Sequence, residues 1–218
     1  MLNRISLLIT FLLVVSFQLA AQDDEKGDKR SREILDRMTL RIESYKTILI
    51  EFTYKMENTE ADINEEADGT LKVMGDKYRL EISGQTVICD GSTIWTYIAD
   101  AEEVQINNAG EDDEALTPDK LLTSYNKDYR SKFIREDVMY GEKVNIIDLT
   151  PIEGKSFYKV RLILGQEDDR IHDITIFDKN NSTYSYIMRT FTPNVDFPEN
   201  TFTFDPKEFP DADVIDMR

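Results

Sequence analysis

Between Thr86 and Tyr97, an Asp90-Gly91 pair separates two runs rich in β-branched and aromatic side chains, 86–89 and 93–97. Asp-Gly accepts the positive φ angles of a tight reversal, so this spacing predicts a β-hairpin. The hairpin commits its neighbourhood to antiparallel pairing. The same pattern continues on both sides. Ile48, Ile50, Phe52, Tyr54 and Met56 alternate with Leu49, Glu51, Thr53 and Lys55, and Tyr78, Leu80 and Ile82 alternate with Arg79 and Glu81. Such a period of two marks half-buried strands. Further strands are expected at 70–74, 103–107, 137–140, 143–150, 157–164, 170–177, 184–191 and 201–204. Turn signals stand between them at Gly75-Asp76, Gly141, 151–154, 166–169 and 179–182, and the acidic stretch 57–68 reads as a loop.

Two segments carry a helical period instead. Over 31–46, Ile34, Leu35, Met38, Ile42 and Tyr45 form one apolar stripe, with Arg32, Glu33, Asp36, Arg37, Arg41 and Glu43 on the other side and Ser31 as the N-cap. Over 117–129, Thr117 caps, Pro118 occupies the first turn and Asp119 sits at the positive end of the dipole, while Leu121, Leu122, Tyr125 and Tyr129 line the apolar side. The expected fold is therefore mainly β (α+β), about eleven antiparallel strands with two or three helices. Several strands are apolar on both parities: Val160, Leu162 and Leu164 beside Phe157 and Ile163, and Ile174 and Ile176 beside Ile171 and Phe177. A strongly curved sheet around an interior produces that pattern, and the pattern alone leaves open whether the interior is filled or hollow.

The first 21 residues read as a secretory signal peptide: Arg4, an apolar run from Ile5 to Phe17, then Ala20-Ala21 before a charged stretch. An uncleaved N-terminal anchor is the alternative. Residues 22–218 then make a single domain outside the cytoplasm. Its partners are not nucleic acids, because a formal net charge of −17 lacks the basic footprint that phosphate binding requires. Cys89 is the only cysteine, so no intrachain disulfide forms, and its apolar strand setting predicts a buried thiol.

Motifs for bond chemistry are missing. His172 is the lone histidine, expected at the surface or hydrogen-bonded, and no nucleophile elbow, P-loop or dinucleotide fingerprint is present. Residues 178–189 begin like a calcium loop, but Thr183 stands where glycine is needed and Arg189 where the closing acid is needed, which leaves a turn. No metal and no cofactor are expected. An envelope hydrolase using Asp90 or Asp148 is the enzyme alternative, and a periplasmic lipid- or protein-sensing interaction module is the other.

An ordered set of motifs resembles a known family. It comprises the Ile34–Tyr45 helix, Phe52 to Tyr54, Gly69 to Val73, Tyr78 to Glu81, Val87 to Tyr97, Leu116 to Pro118 with Leu121 and Leu122, Ile147 to Pro151, Asn200 to Asp205 and Pro210 to Asp216. In that order, behind an export signal, they resemble LolA, the periplasmic outer-membrane lipoprotein carriers. The resemblance implies an incomplete antiparallel β-barrel with a helical lid over an apolar cavity. It implies a non-enzymatic carrier, monomeric and periplasmic, that takes lipoproteins from an inner-membrane ABC transporter, shields their acyl chains and passes them to an outer-membrane acceptor. Tyr78, Leu80 and Ile42 match cavity positions, and alternation adds Phe52, Tyr54 and Ile82. Met38, Leu121, Leu122 and Tyr125 would form the lid. The chain departs from the family in one place: the Arg that latches the lid of well-studied members has no basic counterpart at Met74-Gly75-Asp76.

Overall fold

Twelve strands, one α-helix and two short 3-10 turns (Ala99–Ala101 and Pro206–Glu208) build the residues described by the computed structural model, 29–110 and 128–218. Helix α1 spans residues 29–43. The strands are β1 (Ile48–Asn58), β2 (Ile63–Met74), β3 (Lys77–Ile82), β4 (Gln85–Cys89), β5 (Thr93–Ile98), β6 (Glu103–Asn108), β7 (Tyr129–Met139), β8 (Glu142–Pro151), β9 (Phe157–Gly165), β10 (Ile171–Asp178), β11 (Thr183–Pro193) and β12 (Asp213–Asp216). They form one sheet in the order β12-β6-β5-β4-β3-β2-β1-β11-β10-β9-β8-β7. Two meanders, β1–β6 and β7–β11, are thus stitched together where β1 pairs with β11. The Asp90-Gly91 hairpin is present: Asp90 Oδ1 accepts from the backbone N–H groups of Ser92 and Thr93, and Gly91 has φ +97°.

The sheet is open, with β12 and β7 as separate edges, so it is not a closed barrel. It is not wholly antiparallel either, because β12 runs parallel to β6. Other expectations need correction. The acidic stretch 57–68 is mostly strand, as β1 and β2 extend to within a few residues of each other. Residues 201–204 form turns rather than a strand. Tyr129 opens β7 instead of ending a helix. The remainder of the expected 117–129 helix, except Asp128, lies outside the described residues, as does the expected signal peptide. Ser31 lies inside α1, fully buried, with its hydroxyl 2.8 Å from that of Ser131 on β7.

Bulges account for part of the double parity, bringing Ile171 and Phe157 to the inner cluster, whereas Ile163 stays on the opposite face beside Ile146. On β10 the register shifts between Ile171 and Asp173, so Ile171 faces Leu164 while Ile174 faces Leu162. An odd and an even residue thereby reach the same face, with His172 as the extra residue of the bulge. A second shift, between Glu51 and Phe52 against β11, skips Arg189 and brings Met188 and Phe191 to one face. That face, here the inner face, packs against Ile34, Leu35, Met38 and Ile42 of α1 in one hydrophobic cluster. The opposite face of β4–β6 is covered by the chain after β11. Trp95 stacks on Phe204 at 5.8 Å, Phe204 on Phe209 at 5.8 Å, and Tyr97 meets Phe209 at 4.4 Å. Ile88 and Val104 are buried on that side.

Candidate functional site

The inner face can be read row by row from the strand register. One row runs Pro193, Ile48, Val73, Tyr78, Cys89, Ile94, and the next Phe191, Ile50, Leu71, Leu80, Val87. A third runs Met188, Phe52, Gly69, Ile82, and a fourth joins Tyr54 to Tyr186 and on to Ile174, Leu162 and Ile147. These apolar rows cross most of the sheet. Alternation in β1 and β3 turns Phe52, Tyr54, Tyr78, Leu80 and Ile82 to this side, as a period of two requires.

Helix α1 lies across the β7–β11 half of this face. Its first turn meets β7: Arg30 pairs with Glu136 and its guanidinium stands 3.9 Å over the Phe133 ring. In its middle, Arg37 reaches Asp169 between β9 and β10. Just beyond its end, Tyr45 meets Phe191 at 5.9 Å. Here a cavity of about 200 Å³ opens, with Ile42, Tyr45, Ile171, Phe191 and Pro193 as apolar walls and Arg41, Asp168, Asp169 and Arg170 as charged ones.

All six cavity residues named from the sequence lie on one hydrophobic cluster, but they are not equivalent. Ile42, Phe52 and Tyr78 are buried, whereas Tyr54, Leu80 and Ile82 are only half-buried, together with Val87 and Ile94. Ile42 also lines the cavity beside α1. Met38 is fully buried and belongs to the packed seam between α1 and the sheet. Leu121, Leu122 and Tyr125 lie outside the described residues. Phe52 owes its position to Gly69: a Cβ on Gly69 would stand 2.3 Å from Phe52 Cζ, so only glycine admits the ring. Tyr45, placed on the apolar stripe from the sequence, joins the same cluster, as do Tyr184, Tyr186, Met188 and Phe191, which sequence reasoning did not name for the site. The alternation of Tyr184, Tyr186 and Met188 was the signal for three of them.

The polar groups of this region serve the fold. Burial raises the pKa of the Tyr186 phenol to about 12, with Tyr54 and Tyr184 adding to the shift, and burial also raises Tyr54. These phenols therefore stay neutral hydrogen-bond donors at ordinary pH. Partial burial disfavours a charged Asp90, yet the hydrogen bonds from Thr93 and Ser92 outweigh it and hold this carboxyl below the usual range. Asp148 is clamped by Arg161 through two contacts of 2.7 and 2.9 Å. Asp90 lies in the turn after β4 and Asp148 on β8, with six strands between β4 and β8 in the sheet order. Cys89 is buried, as expected for an inert thiol. His172 is also buried, not at the surface, because it fills the β10 bulge; its Nε2 stands 2.8 Å from Glu142 and its ring stacks on Tyr140 at 5.3 Å. Among the described residues, no group of three or more His, Cys, Asp or Glu side chains is placed to hold a metal ion, and no helix is long and apolar enough to cross a membrane.

Comparison with known proteins gives concordant results. Residues 43–205 match the family model described as outer membrane lipoprotein carrier protein LolA. An outer-membrane lipoprotein carrier protein of Dechloromonas aromatica (strain RCB) is 28% identical over 181 residues, covering 80% of this chain and 83% of the relative. One from Histophilus somni (strain 2336) is 32% identical over 118 residues, 54% of each chain. Among solved structures, an uncharacterized conserved protein from Thermus thermophilus shares the fold, with a TM-score of 0.60 at 13% identity over 86% of this chain and 99% of that one.

Proposed function

This chain belongs to the LolA family of outer membrane lipoprotein carriers, and on that premise we propose that it shelters the acyl chains of lipoproteins on its inner face while they cross the periplasm. It takes cargo from an inner-membrane ABC transporter and delivers it to an outer-membrane acceptor. It works as a monomer, without a cofactor and without making or breaking bonds.

The observation that carries this reading is the unequal burial of the inner face. The inner face of β8–β10 is fully buried in the cluster it shares with α1, whereas Leu80, Ile82, Val87 and Ile94 on β3–β5 remain half-buried. An apolar surface of this kind attracts hydrocarbon without direction, so it can hold a chain and also release it. Each methylene taken out of water contributes roughly 0.8 kcal/mol, so a chain of about fifteen carbons gains on the order of 10 kcal/mol. That is enough for capture and small enough for hand-over to a membrane offering the same gain.

The test is purification of the protein from its native envelope, followed by native mass spectrometry of what co-elutes. Acylated lipoproteins in the complex support the carrier. A protein partner bound without any acyl chain would instead favour a sensing module on the same fold.

A further inference from the structure

The outline of the sheet has a step between β2 and β3. β2 pairs with β1 from Ile63 opposite Asn58 to Val73 opposite Ile48, but β3 covers it only from Gly69 to Met74. Residues 63–68 therefore have a strand on one side only, which leaves a bare edge of roughly 20 Å. The two-residue turn Gly75-Asp76 makes Met74 and Lys77 a hydrogen-bonded pair, and alternation turns the N–H and C=O groups of Lys72 and Thr70 towards β3 as well. Those of Asp68, Glu66 and Asn64 point the same way, where β3 has ended. Among the described residues, none of these outward groups has a hydrogen-bond partner.

The edge is held in place. Buried Asn58 donates to the carbonyl of Asn180 and to Ser182 Oγ, and its own side-chain carbonyl accepts from the N–H groups of Glu60 and Ala61. The β1–β2 turn is thereby anchored to the turn between β10 and β11. Asn64, Glu65, Glu66 and Asp68 are all exposed. At the step itself, a cavity of about 460 Å³ has Asp68, Gly69 and Arg189 on one side and Ile82, Ser83 and Gly84 on the other. An anchored strand edge beside a cavity is the geometry that accepts an extended peptide as an added strand.

The direction of such a strand follows from what it continues. In antiparallel pairing, the more stable arrangement, it runs as β3 does, starting beside Ile82 and ending opposite Ile63. Ile82 belongs to the half-buried apolar rows of the inner face. The amino end of the added chain thus lies at the apolar surface, and its carboxyl end lies at the hairpin tip. Glu57, Glu60, Asp62 and Glu65 are exposed there, so the segment that fits carries no acidic residues. An outer-membrane lipoprotein has the matching polarity, with acyl groups on its first residue and peptide after it.

We propose that the bare edge of β2 binds the peptide that follows the acylated first residue of the cargo, as a short antiparallel strand beside Asn64, Glu66 and Asp68. This rests on the carrier reading and adds to it: main-chain bonds hold the peptide whatever its side chains, while the acyl chains stay on the apolar face.

The experiment gives the whole protein two probes, a diacylated cysteine amide and the same acylated cysteine followed by a neutral peptide of about eight residues. Dissociation constants come from displacement of a fluorescent acyl probe. The lipopeptide should bind about tenfold more tightly than the acylated cysteine. It should also slow hydrogen exchange at the amides of Asn64, Glu66 and Asp68, which the acylated cysteine should leave fast. N-methylation of every second peptide amide should abolish the tenfold gain in one of its two settings and spare it in the other, since only one set faces β2. Glu66→Pro removes one outward N–H on an edge, where proline is tolerated. It should lose about fivefold on the lipopeptide and nothing on the acylated cysteine, whereas Glu66→Ala should keep both. Equal affinity for the two probes, or a gain indifferent to the setting of the N-methyl groups, would overturn the edge site and leave the carrier standing. Protection of the same amides that grows with protein concentration in the absence of ligand would give the edge to a second copy of this chain and overturn the cargo assignment. If neither probe binds, the carrier reading itself fails and the edge site goes with it.

Discussion

Arg37 on α1 grips Asp169 between β9 and β10 through two hydrogen bonds, Nη2 to Oδ1 at 2.9 Å and Nε to Oδ2 at 3.2 Å. The carboxylate side chain is 7% exposed and the guanidinium side chain 52%. A planar fork on a largely buried carboxylate is the geometry in which an ion pair contributes, unlike a freely solvated one. No basic residue stands at Met74-Gly75-Asp76, where the resemblance would put a latch, and here the cation tying helix to sheet comes from the helix itself.

Removing Arg37 leaves Asp169 buried without its partner. Arg37→Ala should therefore destabilise the protein by about 1–2 kcal/mol, seen as a lower urea midpoint with an unchanged m-value. Asp169 has φ +49°, a region asparagine tolerates, so Asp169→Asn should keep the turn and cost less than Asp169→Ala. A midpoint for Arg37→Ala equal to that of the wild type would show that the pair is only a surface contact.

Gly69 and Phe52 make a second coupled pair. A methyl group on Gly69 would stand 2.3 to 3.0 Å from three carbons of the Phe52 ring, which is 3% exposed and has little space to retreat. Gly69→Ala should cost about 1–3 kcal/mol through overpacking. Phe52→Leu alone should also destabilise, but combined with Gly69→Ala it should recover part of the loss. A double-mutant cycle on unfolding free energies reads the coupling, and additive effects would refute it.

Stability should respond to pH through His172. Burial lowers its pKa first of all, and Arg170 lowers it further, against the opposing pull of Glu142 and Asp168. The folded state therefore releases its proton more readily than the unfolded chain, whose imidazole titrates near 6.5. This contribution is fully present above that value and is lost as pH falls through it towards the lowered folded pKa. His172→Gln should flatten the fall in unfolding free energy between about pH 7 and 5. Asp173 acts in the opposite sense, since burial raises its carboxyl, so Asp173→Asn should stabilise the protein at neutral pH. Unfolding curves across that range check both signs.

The legible parts of this chain were those where one local rule acts alone. Asp90-Gly91 announced its hairpin because turn chemistry is local, and the stripe from Ile34 to Ile42 announced α1 because one face of it is buried. Bulges defeated the pattern elsewhere. His172 between Ile171 and Asp173 looks like ordinary alternation, and only the register shows that it is the inserted residue and hence buried. The edge strands were hard for two reasons: in β7 the alternation of Arg130 and Lys132 with Ser131 and Phe133 is broken by the bulge between Phe133 and Arg135, and β12 is exposed throughout, so no buried face marks it. Phe202 and Phe204 look like strand residues, yet they belong to a non-strand segment that covers the opposite face, as Phe204 shows by stacking on Trp95. For the candidate site, β1 and β3 were readable from alternation, whereas Phe191 reached the inner face only through the bulge opposite Glu51 and Phe52.

Tyr78 and Leu80 share a strand and a face, but they differ in burial and should answer mutation differently. Tyr78 is 4% exposed in the packed row with Val73 and Cys89, so a charge there would strike the sheet itself. Leu80 is half-buried between Leu71 and Val87, where a carboxylate can still reach water. Leu80→Glu should leave the unfolding midpoint within about 1 kcal/mol of the wild type while reducing capture of a fluorescent acyl probe about tenfold, since a solvated charge now stands on the apolar surface. Tyr78→Glu should lose stability and capture together. Comparing probe titrations with unfolding curves for the two variants separates a ligand surface from a structural core, and unchanged capture in a folded Leu80→Glu protein would remove β3 from the binding face.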